Sequence, residues 1–292
     1  MAQSRITRRE AGLGLAAAGT VFIATGRARA ADFSLKHNHN LPVESPLHKR
    51  ATEMWAAVKA ETNGRVDVQI TRGGEGGAEK LVSGELGAYL RQEARAKGIY
   101  AIPGGCFENG MHQITSTSKP VRNAADLRGM KIRVPGTPFY QDYFKALGAD
   151  VQIMNLTRVY DALKAGTVDA QDDPWDVVEL FKFYEVQKYA SVTDHSWSGY
   201  NMLSSMKVWQ SLPADVQRVI ETNAKKFVAL QRADTDNLNE QLRRDLEHHG
   251  MMFNTPDLPS FHAVLPSYYP RWRDHVGTRA WTLLQQYTGP LG

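Results

Sequence analysis

Apolar residues along the chain alternate between the period of a helix and the period of a strand. Residues 46–61 carry apolar side chains at helical spacing, and Asn63-Gly64 ends that helix. Residues 65–71 alternate between apolar and polar, which predicts a half-buried strand. The same patterns predict strands over 33–36, 98–102, 130–135, 151–154 and 168–170, and helices over 86–97, 139–147 and 157–164. This alternation of helices and strands indicates an α/β fold.

The segments between these elements are predicted as loops: the polar residues 37–40, the glycine-rich residues 73–77, the acidic residues 171–176 and residues 194–200. The glycine-rich segment lacks the Gly-Lys-Ser/Thr of a phosphate-binding loop, so a flexible turn is predicted there. The C-terminal third is helical, with one long helix that begins near Pro213 and ends at His249-Gly250.

Residues 1–30 have the features of an export signal. Arg5, Arg8 and Arg9 precede a weakly apolar run, and Ala28-Arg29-Ala30 supplies the small residues of a cleavage site. Thr7-Arg8-Arg9 is typical of a twin-arginine signal, and an ordinary secretory signal is the alternative. Both signals predict cleavage after about Ala30 and a mature chain outside the cytoplasm.

The export signal also accounts for the basic balance of the chain, which holds 35 Lys and Arg against 31 Asp and Glu. Residues 1–30 contain five arginines and one glutamate, so residues 31–292 carry 30 basic and 30 acidic side chains. A chain without net charge gives no support for nucleic-acid binding. Its length exceeds the usual size of one compact core, which predicts two lobes. Cys106 is the single cysteine, which allows no internal disulfide, and we expect it to be a buried structural residue.

Arg133 is the best candidate for a ligand-binding residue. In the strand over 130–135, Ile132 and Val134 share one face, so Arg133 points to the other. An arginine near the carboxyl end of an α/β strand stands where such folds bind ligands, and its planar guanidinium can bind a carboxylate through two hydrogen bonds. A solvated arginine on an exposed strand face is the alternative interpretation.

Two further sets of residues carry possible chemistry. A metal-dependent periplasmic hydrolase would use the His-x-His pair His37 and His39, but its third ligand cannot be identified from the sequence. The other possible ligands are His48, Asp172, Asp173 and Asp176. Trp197 and Tyr200 are candidates to stack on a ligand, with core packing as the alternative.

Several motifs, in a fixed order, resemble those of one protein family. They are LRGMKIRVP over 127–135, FKALGA over 144–149, YDALKAGTVDAQ over 160–171, YEVQKY over 184–189 and WQSLP over 209–213. On these motifs the chain resembles the dicarboxylate-binding type of substrate-binding protein of tripartite ATP-independent periplasmic (TRAP) transporters. The resemblance extends over nearly all of residues 31–292.

The resemblance implies a two-lobed α/β periplasmic binding protein of the type II kind, with long C-terminal helices, that closes around its ligand. It implies a non-enzymatic, periplasmic monomer without a cofactor, which passes a small organic acid to TRAP membrane subunits. The expected organisation is an export signal over 1–30, a first lobe over 31–134, a second lobe over 135–212 and a helical segment over 213–292 that packs across both lobes.

The resemblance also implies that Arg133 pairs with the substrate carboxylate. The other residues assigned to the binding site are Asn38, His39, His112, Asp173, Trp175 and Trp197. Asp173 stands where the family usually has Asn, and an ionised Asp cannot donate a hydrogen bond to a carboxylate. We therefore expect Asp173 to pair with Arg133, to hold a ligand hydroxyl or ammonium group, or to be protonated, and a hydroxylated or amino-bearing acid is favoured. His112 stands where the family often has Arg, so a second positive charge requires a protonated imidazole.

One segment of the family is missing from this chain. Between Gly84 and Glu85 the family usually has about forty more residues, which is longer than one βαβ crossover. The first lobe is therefore expected to be shortened, with strands of its sheet and part of the cleft wall lost. The alternatives to a working receptor are an internally deleted family member with impaired binding and the metal-dependent hydrolase.

Overall fold

The computed structural model describes residues 31–39, 41–72 and 84–291. The predicted export signal over 1–30 and the predicted glycine-rich turn over 73–77 lie outside the described residues. Within the described ranges, no helix combines the length and the apolar content that crossing a bilayer requires.

Helices and strands alternate through most of the chain, as the sequence predicts. The strands are β1 (Phe33–His39), β2 (Val66–Arg72), β3 (Ile99–Ser116), β4 (Lys131–Val134), β5 (Asp150–Ile153), β6 (Ala170–Asp173), β7 (Tyr189–Ser205) and β8 (Met252–Asn254). The α-helices are α1 (Pro46–Glu61), α2 (Glu85–Ala96), α3 (Pro138–Ala146), α4 (Val159–Lys164), α5 (Trp175–Leu180), α6 (Met206–Ser211), α7 (Ala214–His248), α8 (Leu258–His262), α9 (Leu265–Val276) and α10 (Thr278–Thr288). Short 3₁₀ helices span Ala124–Leu127, Leu156–Arg158 and Phe183–Glu185.

The described strands form two sheets. β1 and β2 form a parallel two-stranded sheet, and the remaining strands form a larger sheet in the order β5-β4-β6-β3-β7-β8. In the larger sheet β4 is parallel to β5 and β6, β3 is antiparallel to β6 and β7, and β8 is parallel to β7. A groove of about 470 Å³ lies between β1 and the C-terminal part of β7. The small sheet is therefore attached to the large one by packing, since among the described strands β1 pairs only with β2.

Helix α1 has the bounds that its apolar spacing predicts. The Ser45 side chain caps its first turn by accepting a hydrogen bond from the backbone N–H of His48 at 3.2 Å. Pro46 fits the first helical position because a backbone N–H there would have no partner within the helix. Asn63 and Gly64 follow the helix with φ values of 51° and 77°, a left-handed conformation that ends it.

Three segments that the sequence analysis predicts as loops are strands in the structure. Residues 37–39 extend β1, residues 171–173 belong to β6, and residues 194–200 lie within β7. Their polar and small residues suggested loops, but the backbone ladder of a sheet accepts such residues when neighbouring strands are in place. Tertiary context therefore overrides local composition in these segments.

The strand predicted over 98–102 is much longer in the structure, because β3 runs from Ile99 to Ser116. Pro103, Gly104 and Gly105 lie within a register shift of the β3–β7 ladder, between Ala101 and Cys106. A bulge of this kind interrupts the alternation of side chains without ending the strand. The sequence pattern therefore stops at the bulge although the strand continues.

Two clusters of buried apolar side chains form the core. The larger cluster packs α1 and the small sheet against α5, α6, α7 and the N-terminal part of β3. The smaller cluster packs α3 and the C-terminal helices against β4, and it contains the fully buried Ile132 and Val134. The predicted alternation along β4 is confirmed, since Ile132 and Val134 join this cluster whereas Arg133 lines a cavity.

Candidate functional site

A cavity of about 1400 Å³ lies where β4 and β6 end at their carboxyl termini. Its polar lining is a cluster of side chains from four strands: Asn109, His112, Arg133, Asp173, Ser196 and Ser198. The β3–β7 ladder sets two of these residues opposite each other, because His112 pairs with Ser196. The carboxyl ends of parallel strands are where α/β folds usually bind ligands.

The two acidic residues at the end of β6 point to opposite faces of the sheet, as successive strand residues do. Asp172 Oδ1 lies 2.8 Å from His112 Nδ1 and 3.0 Å from His195 Nε2. Asp173 Oδ2 accepts a hydrogen bond from Arg133 Nη1 at 2.7 Å. Each buried carboxylate therefore has its own partners, which is what burial of a charge requires.

Arg133 is 2% exposed and is held by groups from two neighbouring strands. Its Nη1 donates to Asp173, and its Nε donates to the backbone carbonyl of Met154 at 3.1 Å. Of the three roles expected for Asp173, the ion pair with Arg133 is the one present in the structure. A ligand carboxylate therefore meets a guanidinium that already has one carboxylate partner.

Burial raises the pKa of Asp173 to about 6, although the Arg133 guanidinium acts in the opposite direction. Burial also raises the pKa of Asp176, in the first turn of α5, to about 7. Both carboxyl groups therefore titrate close to neutral pH. The third option for Asp173, a protonated carboxyl group, is accessible by a modest fall in pH.

His112 is 3% exposed and lies between Asp172 and Ser198. Burial alone would lower the pKa of His112, but the adjacent Asp172 carboxylate raises it above its usual value. Burial acts to raise the pKa of Asp172, and the contact with His112 outweighs it and holds that pKa well below the usual range. The imidazolium is therefore favoured, and it supplies the positive charge that the family often places here as Arg.

A protonated His112 makes Ser198 a hydrogen-bond donor to the cavity. His112 Nδ1 then donates to Asp172, and His112 Nε2 donates to Ser198 Oγ at 2.7 Å. Ser198 Oγ also accepts from Asn109 Nδ2 at 2.9 Å. Because both lone pairs of Ser198 Oγ are then engaged, its hydroxyl hydrogen is left to donate toward the cavity.

Helix α3 covers the two imidazoles of this cluster with tyrosine rings. Tyr140 stacks on His112 with ring centroids 5.0 Å apart, and Tyr143 stacks on His195 with centroids 5.4 Å apart. The Tyr140 hydroxyl lies 3.2 Å from Ser196 Oγ. Burial raises the pKa of both phenols, so both remain neutral. The helix therefore fixes the imidazole planes and excludes water from one side.

The cavity brings together four of the seven predicted binding residues, namely His112, Arg133, Asp173 and Trp197. Trp197 donates its Nε1 to Glu108 Oε1 at 2.6 Å, which leaves its ring to line the cavity. Asn38 and His39 line the groove between β1 and β7. Trp175 packs against Phe253 with ring centroids 5.1 Å apart, away from the lining of the cavity.

The side chains considered for a metal site are divided between distant elements. His39 Nε2 lies 2.9 Å from His48 Nδ1, and His37 accepts a hydrogen bond from Trp55 Nε1 at 2.8 Å. The acidic candidates lie instead on β6 and α5. In the part of the chain that the structure describes, no group of three or more His, Cys, Asp or Glu side chains is arranged to hold a metal ion.

Cys106 is buried, as predicted, with a free thiol. Burial raises the pKa of this thiol to about 12, so the nucleophilic thiolate is not formed near neutral pH.

Asn109 is a site residue that the sequence analysis missed. It is the extra residue of a bulge, since Glu108 pairs with Gly199 and Gly110 pairs with Ser198. Asn109 is 7% exposed, and its Oδ1 has no hydrogen-bond partner among the described residues. A buried, unpartnered acceptor at a cavity is suited to a donor on a ligand. His195, Ser196 and Ser198 were also missed, because residues 194–200 were predicted as a loop.

A profile of the family described as bacterial extracellular solute-binding protein, family 7, matches residues 74–274. The chain belongs to this family. It is a family of solute-binding proteins and not of enzymes, which agrees with the function that the motifs predict.

Two curated relatives are named as periplasmic binding proteins. The chain is 33% identical over 155 residues to the 2,3-diketo-L-gulonate-binding periplasmic protein YiaO of Escherichia coli. This match covers 53% of this chain and 47% of that protein. It is 34% identical over 142 residues to the C4-dicarboxylate-binding periplasmic protein DctP of Rhodobacter capsulatus. This match covers 49% of this chain and 42% of that protein. The chain therefore spans about half of the length of these curated relatives.

Solved structures show the same fold. A TRAP periplasmic solute-binding protein from Sulfitobacter with bound β-D-galacturonate matches with a TM-score of 0.81 and 18% identity, over 88% of this chain and 100% of that chain. One from Polaromonas bound to D-erythronate matches with a TM-score of 0.80 and 23% identity, over 87% and 98% of the two chains. The predicted α/β fold of two-lobed binding proteins, with long C-terminal helices, is thereby confirmed.

Proposed function

We propose that this family 7 protein is the receptor of a TRAP transporter, which binds a small organic acid and passes it to the membrane subunits. The observation that carries the proposal is the buried Arg133 guanidinium at the cavity, with His112 and Ser198 as further donors. A planar guanidinium offers a carboxylate two parallel hydrogen bonds and keeps its charge at any physiological pH. The export features of residues 1–30 support delivery to the periplasm, with cleavage after about Ala30.

The similar proteins support an acid as the ligand. The Escherichia coli relative is named for binding 2,3-diketo-L-gulonate, and the two solved structures contain β-D-galacturonate and D-erythronate. All three compounds are carboxylates that carry further oxygen groups. The lining of the cavity in this chain has donors for carboxylate oxygens in Arg133 and Ser198, and acceptors for hydroxyl groups in Asp173 and Asn109.

The charge of Asp173 narrows the class of ligand. Because Asp173 already pairs with Arg133, an incoming carboxylate adds a second negative charge next to the same guanidinium. The repulsion is relieved when Asp173 accepts a hydrogen bond from a ligand hydroxyl or ammonium group, or takes up a proton. We therefore propose a hydroxylated or amino-bearing acid over a plain dicarboxylate.

A thermal-shift screen of organic acids on the full chain tests the proposed function. An acid present at a concentration of a hundred times its dissociation constant should raise the free energy of unfolding by about 2.7 kcal/mol. The Arg133→Gln/Asp173→Asn double variant removes both charges of the buried pair, so neither charge is left without a partner. We expect at least a hundredfold loss of acid affinity in that variant. The matched control is Arg218→Ala, at an exposed position of α7, which should keep the parent's affinity.

Two outcomes would contradict the proposal. Affinity that survives in the double variant would remove Arg133 from the binding site. A parent protein that melts cooperatively, and shows no shift with any acid, would favour the alternative of a binding-impaired family member.

A further inference from the structure

The cavity is larger than a compact hydrophilic acid requires. Pockets for small molecules usually enclose about 300–1,000 Å³, and this cavity encloses about 1400 Å³. Its lining has two chemically different parts. The polar cluster around Arg133 forms one part, and α9 and α10 form an apolar part with Leu265, Trp272, Trp281 and Leu284. A ligand that fills the cavity therefore needs an apolar body as well as a charged group.

A continuous row of aromatic rings joins the two parts. Tyr140, which stacks on His112, contacts Phe139 with ring centroids 5.5 Å apart. Phe139 contacts Tyr268 at 5.8 Å and Trp272 at 5.4 Å, in both cases edge to face. All of these aromatic side chains line the cavity. A molecule held by its carboxylate near His112 therefore extends along aromatic surfaces.

Trp272 adds a polar group to this apolar part. Its Nε1 is buried and has no hydrogen-bond partner among residues 31–39, 41–72 and 84–291. A buried N–H without an acceptor is unfavourable, and an oxygen or nitrogen atom on a ligand ring would satisfy it. The aromatic wall thus contains a buried N–H that lacks an acceptor, in addition to the donors and acceptors of the polar cluster.

We propose that the ligand is an aromatic organic acid, with its carboxylate at Arg133 and His112 and its ring against Phe139, Tyr268 and Trp272. This inference rests on the proposed function, because it takes the group held at Arg133 to be a carboxylate. A ring in this position gains edge-to-face and stacking contacts with the wall. The hydroxyl groups of a sugar acid would lose water against the same wall without finding partners.

Calorimetric titration of the full chain with four acids tests the inference. The probes are 4-hydroxyphenylacetate, phenylacetate, succinate and D-gluconate, with neutral phenylacetamide as the control for the carboxylate. We expect 4-hydroxyphenylacetate to bind at least tenfold more tightly than succinate or gluconate, because it alone combines a carboxylate, a ring and a distal oxygen. Phenylacetamide should show at least tenfold weaker binding than phenylacetate.

Substitutions at Trp272 separate the ring contact from the hydrogen bond. Trp272→Phe keeps a ring but removes the N–H, so the preference for 4-hydroxyphenylacetate over phenylacetate should disappear. Trp272→Ala should lower the affinity for both aromatic acids by tenfold or more, and it should change the affinity for gluconate by less than twofold. Trp175→Phe is the matched control, since Trp175 packs against Phe253 away from the cavity lining. Far-ultraviolet circular dichroism of each ligand-free variant reports whether it is folded.

The outcomes distinguish this inference from the proposed function. Tighter binding of succinate or gluconate than of both aromatic acids would overturn the aromatic ligand and leave the acid receptor intact. An unchanged aromatic preference in folded Trp272→Phe and Trp272→Ala would equally overturn it. Absence of binding by both aromatic acids would overturn this inference, whereas the proposed function is overturned only when the screen of organic acids also finds no ligand.

Discussion

The two sheets of the molecule differ in what they contribute. The six-stranded sheet holds the charged cluster, with His112, Arg133 and Asp173 on three of its strands. The two-stranded sheet supplies Asn38 and His39, which line the groove and not the cavity. Both sheets nevertheless bury side chains in one apolar cluster, in which Val66 of β2 lies with residues of β3 and β7. The charged side chains of the cavity therefore lie in one sheet, whereas both sheets contribute buried apolar side chains to the core.

The small sheet depends on helices for its place in the molecule. A two-stranded sheet is marginally stable by itself in water, so β1 and β2 need a packed face. Helix α1 supplies that face with buried apolar residues, and it is linked to α7 by a bidentate ion pair. Arg50 Nε and Nη2 lie 2.7 and 3.0 Å from the two carboxylate oxygens of Asp234. The long helix α7 thus helps to hold α1, and with it the small sheet, in place.

The largest expected effect concerns the buried apolar clusters of the core. Met54→Ala in α1 removes a fully buried side chain of the cluster that both sheets share, and Ile132→Ala in β4 removes one of the smaller cluster. Each should lower the free energy of unfolding by about 2–5 kcal/mol. Because the two sheets share an apolar cluster, both variants should still unfold in one transition in urea. Leu203→Ala is the control, since Leu203 is 58% exposed and its loss should change stability by less than about 0.5 kcal/mol. Separate transitions for the two variants would show that the small sheet is an independent unit, and would favour impaired binding.

The next effect concerns the pH dependence of binding at the large sheet. The pKa of Asp173 is raised to about 6, and a ligand carboxylate beside it raises this pKa further. The complex therefore binds a proton that the free protein lacks, and acid affinity should rise by up to about tenfold per unit as pH falls from 8 toward 6. Below pH 6 the free protein is protonated too, so the affinity should level off.

Titration calorimetry at several pH values measures this dependence. His112 and Asp176 interact electrostatically with Asp173 and have shifted pKa values of their own, so their contribution must be separated. Asp173→Asn removes the proposed proton acceptor, so acid affinity should depend much less on pH. Asp150→Asn, at an exposed position of β5, should keep the pH dependence of the parent. An equal slope in Asp173→Asn and the parent would assign the proton to His112 or Asp176.

The smallest expected effect tests the small sheet directly. Asn38→Ala changes a residue of the groove, so acid affinity measured by calorimetry should change by less than about twofold, or 0.4 kcal/mol. A tenfold loss would place Asn38 at the ligand and would mean that the small sheet closes over the cavity when the acid binds.

Local features were predictable from the sequence, and long-range contacts were not. The bounds of α1 and the orientation of Arg133 follow from periods of 3.6 and 2, which neighbouring residues determine. The contacts of Asp172 with His112 and His195 join residues 60 and 23 positions apart on different strands. Sequence spacing contains no information on such pairings, because the register of the ladder decides them.

The family resemblance supplied part of what periodicity could not. It added Asp173 and His112 to the Arg133 that the strand pattern indicates, and these three residues do meet at one cavity. It gave no indication of Asn109, Tyr140 or Trp272, because a bulge, a stacked helix and an aromatic wall are arrangements in space. The missing segment between Gly84 and Glu85 predicts a shortened first lobe, and this stays a prediction.

The bulge at Asn109 has a consequence for how such a receptor can change. Gly110 next to it has a φ of +123°, and a Cβ there would lie 3.3 Å from Pro174 Cβ, so glycine is favoured. Because Asn109 is the extra residue of the bulge, its deletion would leave Gly110 opposite Ser198 and His112 opposite Ser196, and would remove only the Asn109 amide from the site. The bulge thus adds one polar side chain to the site without changing the partners of the residues that follow it. A single-codon deletion would therefore remove an acceptor for a ligand donor in one step and leave the charged cluster in register.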